Sequence, residues 1–502
     1  MPKLFNESRK HDRLFPLSPW ITFPQGVQAR CGATIGVENK DVNLPSAPSA
    51  GARKALAGGA LSFALAAIFL WGPLVLGVAG LLYRAQSGLS PMRRWALCTL
   101  WGLVFASVFY SWAILYGWLP WLALVAVRGV PWGFFFIPSY VAESRGSGWA
   151  GRAIAAGVGY ALVSWILLLG ITGADWETPA AVWAPWPWTL SLLPWVGLVG
   201  MSLILGVLSG CCFLGGKKGG GLAAGILSVL ALTSYLLYTR VPERLPNIPV
   251  ALIQTGWTQE VKWDQENVIQ ARDRLFELTE EAADGGAKLV VWPETAWPVQ
   301  GMRRRLTDTR KIGKLARKLK VEILASSIED SENGWYNSVS QVLPTGRFGE
   351  EYQKRRLAPF AEYIPLPQST QNTLRELEPF SSISPYLPGE HDVIFQGEGY
   401  SYAVLICYES MTPWPAAGVG QVDFLVIVTN DAPFQVEWAK EAHFRSAILR
   451  AIETRLPILQ AANTGVTGVI SSRGEVFART DPGYSGPAVK RTASHGTSAS
   501  VR

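Results

Sequence analysis

A multi-span α-helical membrane bundle joined to an α/β layered domain is the fold class that three features of the sequence predict. Charge is unevenly spread: of 83 charged residues among 502, 12 lie in 1–54, 11 in 55–239 and 60 in 240–502. Fifteen of the 22 tryptophans precede residue 240. From Pro249 onward, short β-branched runs alternate with charged helical stretches. An even spread would give the 185 residues of the middle stretch roughly 31 charges, so its depletion is far outside ordinary composition. An apolar content of 49% and only five cysteines exclude a disordered chain and a disulfide scaffold.

Residues 1–54 are polar and Pro-bearing, with no signal-peptide pattern, and are expected to be a cytoplasmic segment ahead of an uncleaved first span. A bilayer core takes about 20 apolar residues per helix. On that measure 55–240 holds about seven spans: two short ones broken at Trp71-Gly72-Pro73, then Trp95–Gly117, Trp118–Ala142, Ala153–Ile171, Thr189–Leu214 and Gly221–Tyr238. One set of connections carries Arg53, Lys54, Arg84, Arg93, Arg94, Arg145, Arg152, Lys217 and Lys218, whereas the opposite set has no Lys or Arg and only Asp175 and Glu177. The positive-inside rule puts the basic set in the cytoplasm and everything after Arg240 outside it. Trp183, Trp186, Trp188 and Trp195 suit an interfacial belt. Arg128 is the exception within the spans: it is either a functional intramembrane charge, or a side chain that snorkels or sits in a re-entrant break beside Pro131.

After the connector Val241–Pro249, the sequence predicts strands at Val250–Gln254, Lys288–Trp292, Val321–Ser327, Tyr336–Leu343, Tyr400–Ile406, Asp423–Thr429, Ile458–Ala462 and Val466–Ser472. Helices are predicted at Gln265–Asp284, Arg303–Lys320 and Glu437–Thr454. Interleaved strands and helices argue for an α/β layered domain over 241–480. Two strands run straight into reactive groups, Val291-Trp292-Pro293-Glu294 and Leu405-Ile406-Cys407-Tyr408-Glu409. Carboxyl ends of strands line the ligand crevice in open α/β sheets. Cys407 is the only cysteine after residue 240, so it is either a buried core thiol or a nucleophile. The histidines of the domain, His391, His443 and His495, stand in no motif that recommends a base, and no Cys/His cluster suggests a metal. The net charge of +7 is partly topological, so it does not imply nucleic acid.

Three blocks together resemble the nitrilase superfamily: Trp-Pro-Glu-Thr-Ala-Trp-Pro at 292–298, Tyr-Gln-Lys followed by Leu-Ala-Pro-Phe-Ala-Glu-Tyr-Ile-Pro within 352–365, and Ile-Cys-Tyr-Glu-Ser at 406–410. With the spans ahead of them, they resemble the apolipoprotein N-acyltransferases of bacterial inner membranes. The resemblance implies an αββα sandwich with Cys407 as nucleophile, Glu294 as general base, Lys354 on the oxyanion and Glu362 in support. It places Trp263, Tyr408 and Glu409 in substrate handling. It further implies a multi-pass inner-membrane enzyme, expected to be a monomer without cofactor or metal, with its catalytic domain on the extracytoplasmic side. Its acyl donor is a phospholipid and its acceptor a diacylglyceryl-modified apolipoprotein.

Two departures stand out. The family's aromatic-Phe-Gly turn reads Ala432-Pro433-Phe434-Gln435 here. Family members also carry further strands and a final span after the position of Arg479, where this sequence continues into a Ser/Thr/Gly-rich stretch; 481–502 is expected to be a disordered polar tail. Competing readings are a membrane-anchored carbon–nitrogen hydrolase (an amidase) using the same triad with water as acceptor, and an inactive lipoprotein-binding scaffold.

Overall fold

The structure, a computed structural model, describes residues 77–170, 172–258, 265–376, 383, 386–413, 421–482 and 485–490. The expectations for 1–54, for the spans before residue 77 and for Trp263 lie outside the described residues.

The helical part comprises α1 (Val78–Gln86), α2 (Pro91–Phe109), α3 (Trp118–Gly129), α4 (Phe136–Ser144), α5 (Trp149–Leu169), the short α6 (Pro179–Trp183), α7 (Leu193–Leu214) and α8 (Gly216–Arg240). Among the described residues, four helical stretches are long and apolar enough to cross a membrane: Trp118–Ser144, Trp149–Leu169, Leu193–Leu214 and Gly216–Arg240. The first of these is α3 and α4 joined by a 3-10 segment, Val130–Phe135, whose second residue is Pro131. Proline lacks the N–H that a continuous helix needs, which explains the change of winding. Helices α5 and α7 approach closely because small residues face each other. A Cβ on Gly206 would lie 2.7 Å from the Gly157 Cα, and one on Gly210 would lie 2.6 Å from the Ala153 Cα. Without a hydrophobic force between helices in lipid, such close backbone packing is the main source of their cohesion.

Among the described residues, the C-terminal part contains twelve strands in two six-stranded sheets. The first has the order β12-β1-β2-β3-β4-β5 and the second β11-β10-β9-β8-β7-β6. Their ranges are β1 Val250–Gln254, β2 Leu289–Val291, β3 Glu322–Ser331, β4 Gly334–Val342, β5 Phe348–Gln353, β6 Ile394–Gly397, β7 Tyr400–Ile406, β8 Phe424–Thr429, β9 Ile458–Ala462, β10 Gly468–Ile470, β11 Val476–Arg479 and β12 Gly486–Lys490. The central strands β1-β2-β3 and β7-β8-β9 are parallel, and the flanking ones antiparallel. Leu252, Val291, Leu324 and Val339 of one sheet meet Tyr402, Val404, Val426 and Leu459 of the other in a shared core. On the outer face of the first sheet lie α9 (Val268–Asp284) and α10 (Leu306–Leu319), packed through Leu275, Leu278, Ile312 and Ala316. This is the αββα sandwich that the resemblance implies.

The Pro344–Arg347 hairpin turn in the sequence implies the antiparallel partner that β5 supplies, whereas β6, β11 and β12 have no counterpart among the strands the sequence predicts. β12 extends the sandwich past the expected boundary at 480 and corrects the expected disorder for 486–490, because Gly486–Lys490 pairs antiparallel with β1; residues 491–502 of the expected tail lie outside the described residues. Composition misled here: Ser, Gly and Thr around this segment signal a tail, while the open edge of β1 supplies the hydrogen bonds that make it a strand.

The outer layer of the second sheet is the helix Glu437–Thr454, which follows the short helix Gln368–Leu374 (α11) and is α12. It is buried without interruption from Ala442 to Ile452. One side packs on Leu405, Leu425 and Ile427 of the sheet, and the other on Leu168, Ala180, Leu190, Leu193 and Met201 of the helical part. A helix covered on both sides needs partners for its polar residues. Arg450 finds Asp175 at 3.2 Å and Glu453 at 3.0 Å, and Asp175 also accepts from the Ser446 hydroxyl at 2.6 Å. Burial lifts the Asp175 carboxyl to about 6 and the Glu453 carboxyl to about 7, with Arg450 pulling both down.

Replacing Arg450→Met leaves those two acids buried without their cation. Breaking such a pair costs about 3 kcal/mol. Carboxyls with raised pKa are tolerated while protonated and penalised as pH rises through the folded values. The loss of thermal stability in detergent is therefore expected to be larger at pH 8 than at pH 5; equal losses at both would contradict this electrostatic account.

Candidate active site

The site forms where parallel strands end. β2 delivers Glu294, β7 delivers Cys407, and β8 runs from Thr429 into Asn430 and Asp431. The two turns that carry the reactive groups depart from ordinary backbone: Thr295 has φ 48° and Cys407 has φ 50°. Left-handed conformations cost energy for residues with a Cβ and persist where surrounding contacts over-determine them. Those contacts are present. Thr295 N–H donates to Ser326 Oγ at 2.8 Å, and the 3-10 turn Cys407–Met411 is held by Glu409, whose Oε2 accepts from Ile406 N–H at 2.8 Å.

Lys354 follows β5 and is 1% exposed. Antiparallel pairing of β4 and β5 sets Asn337 opposite it, through the Lys354 N–H donating to Asn337 O at 2.8 Å. The ammonium lies 2.9 Å from Glu362 Oε2 and 3.5 Å from Glu294 Oε1. The Asn337 amide donates to Glu294 Oε1 at 2.7 Å and to Glu362 Oε1 at 3.0 Å, so one side chain bridges both carboxylates. Glu294 Oε2 accepts from Asn430 N–H at 2.8 Å, and Glu362 Oε2 from Ala358 N–H at 2.7 Å. Burial disfavours the ammonium, but the carboxylates of Glu362 and Glu294 outweigh that penalty and raise its pKa above the usual lysine range.

Cys407 is partly exposed. Burial raises its thiol pKa well above the ordinary value, Glu294 adds to the rise, and Lys354 opposes it. The resting thiol therefore keeps its proton and needs a base to become a nucleophile.

The structure brings Glu294, Lys354, Glu362 and Cys407 together. Glu409 is fully buried, and its Oε1 accepts from Tyr352 O–H at 2.8 Å, Arg355 N–H at 2.9 Å and Arg356 N–H at 3.0 Å. Its carboxylate is thus occupied in tying the end of β5 to the end of β7. Tyr408 points its hydroxyl to Gly173 O at 2.8 Å, in the loop between α5 and α6.

Sequence reasoning passed over His443, which has no local motif. In α12 it lies under the nucleophile's turn: Nδ1 is 2.7 Å from Asp431 Oδ1, and Nε2 is 2.9 Å from Ser410 Oγ and 3.3 Å from Cys407 O. Because the Ser410 hydroxyl donates to Cys407 O at 2.8 Å, both ring nitrogens face acceptors, as an imidazolium requires. Burial lowers its pKa, but Asp431 more than reverses this and the net shift is upward. Cys407, Asp431 and His443 offer donor atoms within 4.8 Å of one another, a potential metal-binding group. Both ring nitrogens are already engaged by Asp431, Ser410 and Cys407 O, an arrangement that suits electrostatic support of the turn.

The two-sheet sandwich with a carboxylate, a lysine and a thiol at its strand ends defines a class, the carbon–nitrogen hydrolases, and residues 249–488 match that family. The apolipoprotein N-acyltransferase of Brucella suis is 29% identical over 71% of this chain and 70% of its own length. That of Rhizobium etli is 28% identical over 73% of each, and that of Aquifex aeolicus 33% identical over 52% of this chain and 59% of its own. The chain is therefore similar to apolipoprotein N-acyltransferases over 71% of its length, and its C-terminal part matches the carbon–nitrogen hydrolase family.

The folded-state pKa of His443 lies above its unfolded value. Its contribution to stability is therefore complete below about pH 6.5 and disappears as pH rises through the folded value. His443→Gln is expected to flatten the decline of thermal stability above that pH; an unchanged pH profile would refute a charged imidazole.

Proposed function

We propose that the protein transfers an acyl chain from a membrane phospholipid, through a Cys407 thioester, to the α-amine of a diacylglyceryl-cysteine apolipoprotein. The observation that carries this reading is the seating of the Cys407 turn on the helical bundle through Tyr408 and Gly173, which holds the thiol beside the part of the protein that meets lipid. Both substrates are membrane lipids or lipid-anchored chains, so an enzyme for them needs its nucleophile at that level.

In the first half-reaction Glu294 takes the thiol proton and the thiolate attacks the ester carbonyl. Lys354 stabilises the tetrahedral oxyanion. Glu294 returns the proton to the leaving glycerol oxygen, and a lysophospholipid departs. In the second, the lipoprotein amine attacks the thioester, Glu294 accepts its proton, the amide forms, and the proton passes to the released thiolate. Glu362 and Asn337 hold Lys354 and Glu294 in register, and Glu409 acts as a positioning residue for the turn. Trp263 and Tyr408 remain assigned to substrate handling by family resemblance.

Orientation follows from charge. The loop that docks on the catalytic domain, 172–188, has no Lys or Arg, and the basic connections lie on the other set. The positive-inside rule then favours an extracytoplasmic catalytic domain in the bacterial inner membrane. A single chain supplies all the catalytic groups named, in keeping with a monomer.

Mass spectrometry after incubation with phospholipid vesicles is expected to find an acyl thioester on Cys407, discharged by a diacylated lipopeptide amine and stable to water. Rapid discharge by water would favour the hydrolase. Glu294→Gln should lower thioester formation about a thousandfold, and Lys354→Met about a hundredfold or more. Full acyl transfer by Cys407→Ser would overturn the mechanism.

A further inference from the structure

Arg128 sits within an apolar stretch, Trp118–Ser144, yet is 1% exposed and does not reach toward an interface. Its guanidinium is committed to one segment. Nη1 donates to Leu167 O at 3.0 Å and Thr172 O at 2.8 Å, Nη2 donates to Ala174 O at 3.2 Å and pairs with Glu177. The guanidinium also stands 5.9 Å over the Tyr110 ring, and the Tyr110 hydroxyl donates to Glu177 Oε2 at 2.6 Å. Three carbonyls and a carboxylate are thus gathered by one planar fork, which lysine, a single flexible point charge, cannot replace.

The same segment carries the nucleophile's turn on its other face. Gly173 O accepts from Tyr408, the residue after Cys407. Asp175 N–H donates to Met411 O at 2.9 Å, at the end of that turn. The Asp175 carboxylate accepts from Ser446, one helical turn beyond His443. Gly173 is held tightly between these contacts: an added Cβ would lie 2.2 Å from Leu168 O and 3.1 Å from Arg356 Nη2. The loop is a thin plate with an intramembrane arginine fixed to one side and the Cys407 turn to the other.

We propose that Arg128 and Glu177 are a positioning pair for the acyl-transfer reaction, setting the Cys407 turn through the segment Thr172–Glu177. The inference rests on the function proposed above. Neither residue touches substrate; they act through Gly173 and Asp175 on Tyr408 and Met411. A purely structural pair would affect the amount of folded protein, whereas a positioning pair affects the reactivity of one thiol.

The test compares the wild type with Arg128→Met/Glu177→Gln, which removes both charges together and so strands neither, and with Tyr408→Phe. Two readouts are taken on folded protein: the rate of thioester formation from phospholipid vesicles, and the rate of Cys407 alkylation by iodoacetamide without lipid, followed on its peptide. The expected result for each variant is a fall in kcat of about tenfold or more, KM within about threefold, and faster alkylation as the turn loosens. Combining all three substitutions should do no more than either alone, since they break one linkage. Arg128→Lys should not restore the wild-type rates. Folded variants with wild-type kcat and alkylation, or effects that add, overturn the proposal; if the charge-pair variant fails to fold, unchanged alkylation in Tyr408→Phe does so. A wild type that makes no thioester would overturn the proposed function and leave the alkylation comparison to decide this inference.

Discussion

A single buried ammonium organises the catalytic end of this molecule. Lys354 faces two carboxylates, Glu294 and Glu362, inside the sandwich, where its charge offsets the repulsion between them. With the cation between them, Glu294 stays available as a base beside a thiol that burial keeps protonated. Asn337 adds no charge but bridges both acids, so the distance between base and supporting glutamate is set by one planar amide. The geometry follows from strand pairing: only with β5 hydrogen-bonded to β4 do Lys354 and Asn337 come side by side.

This explains why part of the site was legible in the sequence and part was not. Glu294, Lys354, Glu362 and Cys407 stand in local blocks at strand ends, where residue type and position both signal chemistry. The central strands Val250–Gln254, Tyr400–Ile406 and Ile458–Ala462 were equally plain, as short apolar runs between turn signals, and occur with the bounds read from the pattern. Asn337 and His443 carry no such signal. The first depends on cross-strand register and the second on how α12 lies over a turn 36 residues earlier in the chain. The edge strands β6, β11 and β12 were missed for a related reason. β12, Gly-Pro-Ala-Val-Lys, begins with glycine and proline, and its conformation is dictated by a neighbour's open hydrogen-bonding edge more than by its own residues.

Arg128, a two-way question in the sequence, lies just before the 3-10 segment that interrupts its apolar stretch and is committed to protein partners. Its partners, Leu167, Thr172, Ala174 and Glu177, are mostly backbone carbonyls at the end of α5 and in the irregular loop after it. Buried carbonyls outside regular structure need donors, and a guanidinium supplies several at once. The same loop's lack of basic residues, which set the topology reading, leaves its only two charges, Asp175 and Glu177, free to take Arg450 and Arg128. One acid thus anchors the loop to the domain and the other to the bundle.

The doubly covered helix α12 has a broader consequence. In a free-standing αββα sandwich the outermost layer turns a polar face to water. Here the second sheet's helix has no wet face over its central turns, because the bundle lies where solvent would be. The boundary between membrane part and catalytic part that the chain suggests near residue 240 is therefore not a boundary in space. Removed from its bundle, the sandwich would expose Ala439, Ala442 and Ser446 together with Arg450, and the fold would lack one wall. The membrane bundle is the fifth layer of the catalytic domain as much as its anchor.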